Sequence, residues 1–332
     1  MRIAFFAKSK RRTRTTVYIE AALERAGHRV LRVNERRQRR WIGESLARRS
    51  VLASLARFDP ELVLVHASDI ALPTLAQVSP RYRTVLFTLD CWKSPISGMG
   101  IKRACSVDLL LTVAEGQIQE FEDAGVKRAA YLAEGCEPSA HFHLDEVADE
   151  WIADVAFIGK RPAASIYGER TDFIREANEH FDLKIYGSGW EALRIVPARA
   201  SVGPVGYRRV CSGAKIVLGR DWNTGVRWYF SNRTWFTLGC GGFLLTNYVP
   251  GLEDIFENHN QLVWYRSTDE CLELIRHYLD RSDERRRISE AGHAYVLAHR
   301  TFDHWVSDLE NILDGETPAF PPSKMDRLVS GL

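Results

Sequence analysis

The chain has 332 residues, 45% of them hydrophobic and 27% charged, a composition that suits a globular protein and excludes a disordered or fibrous one. That length is enough for two domains, each with its own core. A formal net charge of +2 conceals an asymmetry, because residues 1–60 hold 16 Lys and Arg against 5 Asp and Glu and the remainder is acidic. A segment this basic implies an anionic partner or a solvated face. The six cysteines, Cys91, Cys105, Cys136, Cys211, Cys240 and Cys271, are scattered with no C-x-x-C pair, as expected of reduced thiols. The start, MRIAFFAKSKRR, has too short an apolar run for a signal peptide, and no stretch approaches the roughly 18 apolar residues of a membrane span. A soluble, cytoplasmic protein is expected.

In chain order, residues 2–7 read as a strand and 15–26 as a helix, with Val17, Ala21, Leu23 and Ala26 toward a core and Gly27 at its end. Residues 29–33 are a second strand. The arginine-rich run 35–50 leads into an amphipathic helix ending near Phe58. Residues 62–66 and 83–89 are further strands, one carrying His66 and the other closing on Asp90. After Lys93-Ser94-Pro95, a strand at 108–113, a helix at 117–124 stopped by Gly125 and a strand at 129–132 complete this half. Strands alternating with helices spell parallel βαβ units in a doubly wound sheet, where ligands gather at the carboxyl ends of strands.

Residues 139–152, polar and acidic, are the expected linker. A second start follows, with a strand at 154–159 running into Lys160-Arg161-Pro162, a helix at 170–178, and a strand at 183–186 ending in Gly187-Ser188-Gly189-Trp190. Residues 207–212 precede the most informative stretch, KIVLGRDWNTGVRWYFSNRTWFTLGCGGFLLTN at 215–247. It reads as a strand at 215–219, a helix at 233–240 capped by Ser231 and stopped by Gly241-Gly242, and a strand at 243–245. A helix starting beside the carboxyl end of a parallel strand presents free N–H groups and a positive dipole end, which suits a phosphate. Beyond a strand at 262–265, Ser267 with Glu270 forms a capping box for a helix with Leu272, Ile275 and Leu279 on one face. Ser282 is placed to cap the next helix, 301–313 is a terminal helix, and the tail with Pro318, Pro321 and Pro322 is irregular.

SNRTWFTLGCGGFLLTNYVPGLEDIF, followed by Tyr-Arg-Ser and a long helical tail, resembles the CgeB-type glycosyltransferase-like family. The resemblance is specific from Gly187 to Thr301. It implies a GT-B fold: an α/β protein of two Rossmann-like parallel-sheet domains facing a central cleft. The expected division is an acceptor domain at 1–138, a linker at 139–152, a nucleotide-sugar domain at 153–300, and a terminal helix and tail at 301–332 that returns to the first domain. DLLLTVAEGQIQEFEDAGVKRAAYLAEGCEP is similar to the closing units of a GT-B amino-terminal domain. In the family an Arg-x-aromatic-Glu helix lies against the donor, its Glu holding the ribose hydroxyls. Arg233 and Trp235 match, whereas Phe236 stands where the acid would be.

Transfer from a nucleotide sugar needs charge relief for a departing diphosphate, recognition of the nucleoside and activation of an acceptor hydroxyl. Arginine with a helix N-terminus supplies the first without a metal. Arg233 with the amides near Ser231 and Asn232, joined by Gly159, Lys160 and Arg161, are the candidates, the charged side chains having a solvated loop as the other reading. Gly187, Ser188 and Gly189 let backbone approach a flat base with Trp190 as a wall, or else form a tight turn around a buried Trp. Asp90 and His66, at strand ends of the first half, are the candidate catalytic bases, or hydrogen-bonded structural residues. Arg36, Arg37, Arg39, Arg40 and Trp41 suggest a polyanionic acceptor such as modified DNA or an anionic glycan.

Lys8-Ser9-Lys10 follows the first strand in place of G-x-G-x-x-G, and neither a G-x-x-x-x-G-K-[ST] loop nor a G-x-S-x-G elbow occurs. His141-Phe142-His143 lacks further ligands, so no metal is expected. The reading is a metal-independent GT-B glycosyltransferase whose donor is a UDP-sugar by family analogy. The alternative is a non-catalytic nucleic-acid- or nucleotide-binding protein on the same scaffold.

Overall fold

The computed structural model describes residues 1–8, 15–161 and 168–321; Ser9-Lys10, Pro162 and Pro322, singled out in the sequence, lie outside them. The described residues form two compact units, Met1–Glu134 with Phe302–Ala319, and Gly135–Thr301 with Phe320 and Pro321.

In the first unit, Arg2–Phe6 (β1), Arg29–Val33 (β2), Leu62–His66 (β3), Thr84–Phe87 (β4), Leu109–Thr112 (β5) and Ala129–Tyr131 (β6) form a parallel sheet in the order β2-β1-β3-β4-β5-β6. Every residue of β3 is buried, which explains why it reads as an unbroken apolar run and does not alternate. Between the strands lie Thr15–Arg25 (α1), Glu35–Phe58 (α2), Leu72–Val78 (α3), Met99–Ala104 (α4) and Ile118–Asp123 (α5). The sequence reading lacks α3 and α4, which are 7 and 6 residues long and so too short to show a helical repeat. The arginine-rich run is itself the start of α2, which breaks at Gly43 (φ 77°, ψ 167°) before Ala47, Val51 and Leu55 enter the core.

The second unit holds Ala153–Ile158 (β7), Leu183–Tyr186 (β8), Ala214–Leu218 (β9), Leu244–Asn247 (β10) and Val263–Tyr265 (β11), all parallel, in the order β11-β10-β9-β7-β8. Its helices among the described residues are Gly168–His180 (α6), Pro204–Gly213 (α7), Asn232–Gly239 (α8), Thr268–Leu279 (α9) and Ser282–His299 (α10). The Ser267 hydroxyl accepts from the Glu270 N–H (3.2 Å) while the Glu270 carboxylate accepts from the Arg266 N–H (2.7 Å), a reciprocal cap. Ser282 is not a cap; it is the first residue inside α10, behind Arg281.

After α10 the chain returns to the first unit as Phe302–Asp314 (α11). Phe302, Trp305, Val306, Leu309, Ile312 and Leu313 fall on one face at helical spacing and are buried. Trp305 meets Phe87 edge to face with centroids 5.2 Å apart, and Arg25 pairs with Asp303 at 2.7 Å.

Candidate functional site

Each sheet reverses its winding once. In the second unit β7 pairs with β8 on one side and β9 on the other, so the chain leaves β7 and β9 in opposite directions. The loops after these strands splay apart there, and such a crevice is where open parallel sheets bind ligands. The loop after β7 is Gly159-Lys160-Arg161, that after β8 is Gly187–Trp190, and that after β9 is Gly219-Arg220-Asp221.

The first two loops are bound together. Arg161 N–H donates to the Ser188 carbonyl (2.9 Å), Gly159 N–H to the Tyr186 carbonyl (3.0 Å), and the Trp190 indole to the Gly159 carbonyl (2.9 Å). A Cβ on Gly187 would lie 2.1 Å from the Gly159 oxygen, and one on Gly189 (φ +96°) 2.2 Å from the Arg161 oxygen. Only glycine permits that approach. Trp190 is 0% exposed and meets Phe157 edge to face, so it is the turn's buried anchor and offers no wall to a base.

Asp221, which sequence reasoning missed, fastens the third loop. The carboxylate is 4% exposed, and its Oδ1 accepts from both the Arg233 guanidinium and the Ser231 N–H at 3.2 Å. Its own N–H donates to the buried Asn247 side chain at the end of β10 (2.7 Å), and the Tyr265 hydroxyl donates to the Gly219 carbonyl (2.9 Å). A lone Asp after a strand carries no signal until the register places it opposite α8. Ser231 sits at the N-cap position of α8, but its side chain makes no cap hydrogen bond and does not cover the first-turn amides of Asn232 and Arg233.

Arg161, Arg220 and Arg233 each have a buried Nε with no hydrogen-bond partner, which is unusual for a buried donor. Two of these arginines are paired, Arg233 with Asp221 (3.2 Å) and Arg220 with Glu169 (3.5 Å), and the buried Arg170 donates to the Lys160 carbonyl (2.7 Å). Lys160, Arg161, Arg170, Arg220 and Arg233 thus stand against the carboxylates of Asp221 and Glu169, an excess of positive charge that suits an anion.

Phe236 stacks on His141 with centroids 4.0 Å apart and 14° between planes. His141 accepts from the Glu137 N–H at 2.9 Å; burial, with the nearby Arg208 charge, pushes its imidazole down to about 3. His141 is thus a neutral packing residue. Trp235 belongs to a cluster with Phe230, Phe256 and Phe320.

In the first unit the reversal lies between β1 and β3. Asp69, buried and also unforeseen, accepts there from Lys8 N–H (2.9 Å) and lies 3.4 Å from His66 Nδ1; His66 Nε2 is buried without a partner. Asp90 is exposed beyond β4. Arg36, Arg37 and Arg40 are exposed on α2, Trp41 is 75% exposed, and Arg39 pairs with Glu44.

Residues 170–311 match the family model described as glycosyl transferase-like. No curated protein matches the chain. Among solved structures, the sucrose-phosphate synthase of Thermosynechococcus elongatus superposes with a TM-score of 0.68 at 11% identity, over 95% of this chain and 98% of that one. Anabaena HepE in complex with UDP-glucose gives 0.67 at 10%, over 95% and 100%. An alpha-glucosyltransferase in complex with UDP and a 13-mer DNA containing an HMU base gives 0.63 at 10%, over 95% and 99%. The chain has the GT-B fold. Most of its second unit is also glycosyl transferase-like in sequence.

Proposed function

We propose that the protein is a glycosyltransferase that binds a UDP-sugar in its second unit and transfers the sugar to an anionic acceptor held by the first. The observation that carries this is the set of three buried, unpartnered arginine Nε groups at the β7/β9 crevice, beside uncapped amides of α8. An unpaired buried donor costs free energy that a bound diphosphate oxygen would recover. HepE is described with UDP-glucose and the alpha-glucosyltransferase with UDP, which supports the choice of nucleotide.

In this reading the anomeric carbon parts from the diphosphate oxygen while Arg233, with Lys160, Arg161 and the first-turn amides of Asn232 and Arg233 that follow Ser231, takes up the charge that develops on it. No metal is required for that step. Gly187, Ser188 and Gly189 line the nucleoside side. The acceptor hydroxyl bonds to the anomeric carbon and gives its proton to a base. His66 is the assigned base because Asp69 accepts at Nδ1 and leaves Nε2 without a partner, and Asp90 is the second candidate. Arg36, Arg37, Arg39, Arg40 and Trp41 are the surface for an acceptor such as modified DNA or an anionic glycan, and the alpha-glucosyltransferase described with a DNA 13-mer supports the first.

Release of UDP from a panel of UDP-sugars tests the proposal; turnover that falls at least about a hundredfold in Arg233→Ala supports it. Phe236 favours a second reading, nucleotide binding without transfer, because no carboxylate stands at that position of α8 to hold the ribose. UDP binding with no release from any donor would select it.

A further inference from the structure

We propose that the Gly43 break in α2 forms a spur that docks the first unit on an anionic lipid bilayer. The spur is fixed at both ends. The Asn34 side chain caps the first turn by accepting from Arg37 N–H (2.9 Å), and the buried Glu35 carboxylate accepts from Ala71 N–H (2.7 Å) and the Thr74 hydroxyl. Ala47, Val51 and Leu55 anchor the far side. Between these anchors every residue from Arg40 to Leu46 is exposed, with Trp41 75%, Ile42 45% and Leu46 56% in solvent. Trp41 and Ile42 border a hollow of about 260 Å³ with Arg37 and Gln38.

Three large apolar side chains exposed on either side of one helix break mark a contact surface, and the charges in the same stretch say which one. Arg36, Arg37 and Arg40 have no ion pair among the described residues and lie in the helical turns just before Trp41, while Glu44, the acid within the stretch, is taken up by Arg39. A nucleic acid would take the arginines, and a single strand would also stack on Trp41, but both leave Ile42 and Leu46 in water. An anionic bilayer takes the whole set, with the aliphatic groups and indole at the acyl boundary and the guanidinium groups among lipid phosphates. Among the described residues no helix is long and apolar enough to cross a membrane, so this contact is peripheral.

This narrows the acceptor side of the proposed function, because a bilayer seated on these arginines and Trp41 takes the place of DNA as their anionic partner, and it rests on nothing at the donor site. Donor-free co-sedimentation of the full chain with vesicles separates the two. Vesicles of phosphatidylcholine with phosphatidylglycerol should retain about tenfold more protein than phosphatidylcholine alone, an excess that salt removes. The double substitution W41A/L46A and the pair R36Q/R40Q should each abolish most of that binding. Both should keep the wild-type melting temperature and UDP response, since the replaced side chains are exposed. Equal binding to both vesicle types, binding unchanged in W41A/L46A, or a DNA mobility shift lost in these variants without any vesicle binding would overturn the assignment. Loss of UDP release with vesicle binding intact would count against the transferase reading alone.

Discussion

Asp221 Oδ1 accepts from both the Arg233 guanidinium and the Ser231 amide at 3.2 Å, so one buried carboxylate sets the arginine and the start of α8 in a fixed relation. The pair is mostly buried, with side-chain exposures of 20% and 4%, and breaking it strands a charge. Arg233→Ala is therefore expected to lower stability by about 2–4 kcal/mol and to lose the response to nucleotide. Asp221→Asn added to it should restore much of the stability and none of the nucleotide response. Denaturant titration with and without UDP distinguishes these effects, and recovery of both would make the arginine purely structural.

Gly189→Ala is a second test. Its Cβ would press on the Arg161 carbonyl at 2.2 Å from a φ of +96°, so both loops must shift. A loss of about 1–3 kcal/mol is expected, with weaker UDP binding, whereas Gly27→Ala, with open space around its Cβ at φ +84°, should lose stability alone.

His141 gives the pH dependence. Its folded value, about 3, lies below the ordinary 6.5 of histidine, so the unfolded chain binds the extra proton. Its share of stability is complete above about pH 6.5 and falls as pH drops toward 3, at about 1.4 kcal/mol per unit. His141→Gln, whose amide oxygen can still accept from Glu137 N–H, should flatten the melting-temperature curve over that window. An unchanged acid slope would show that other groups control it.

His66→Ala is expected to cut turnover about 10²–10⁴-fold with UDP binding intact. Asp69→Asn should cost less, because it removes an orienting acceptor and not the base. Equal activity in His66→Ala would move the role to Asp90.

Most strands of both sheets were legible because parallel strands buried on two faces appear as apolar runs bounded by Gly, Pro or charge. Trp190 was harder: an indole after Gly-x-Gly looks alike as a wall or an anchor, and only the Gly159 carbonyl 2.9 Å away decides between them. Asp69 and Asp221 were not legible at all. Each lies on a loop: Asp69 meets Lys8, 61 residues away, through the pairing of β1 with β3, and Asp221 meets Ser231 and Arg233, 10 and 12 residues away, through the path of the β9–α8 loop. Phe236 stands where the resemblance expects an acid, and its stacking on His141 makes it part of the packing of α8.

The most direct test is a thermal-shift titration of the purified chain against uridine, guanosine, thymidine and adenosine diphosphates and their sugars. A ligand at 100 times its dissociation constant stabilises by about 2.7 kcal/mol, well within reach of the method. A rise with UDP or a UDP-sugar that disappears in Arg233→Ala is the predicted result. No rise with any nucleotide, or a rise that survives Arg233→Ala unchanged, would contradict a donor site at the β7/β9 crevice.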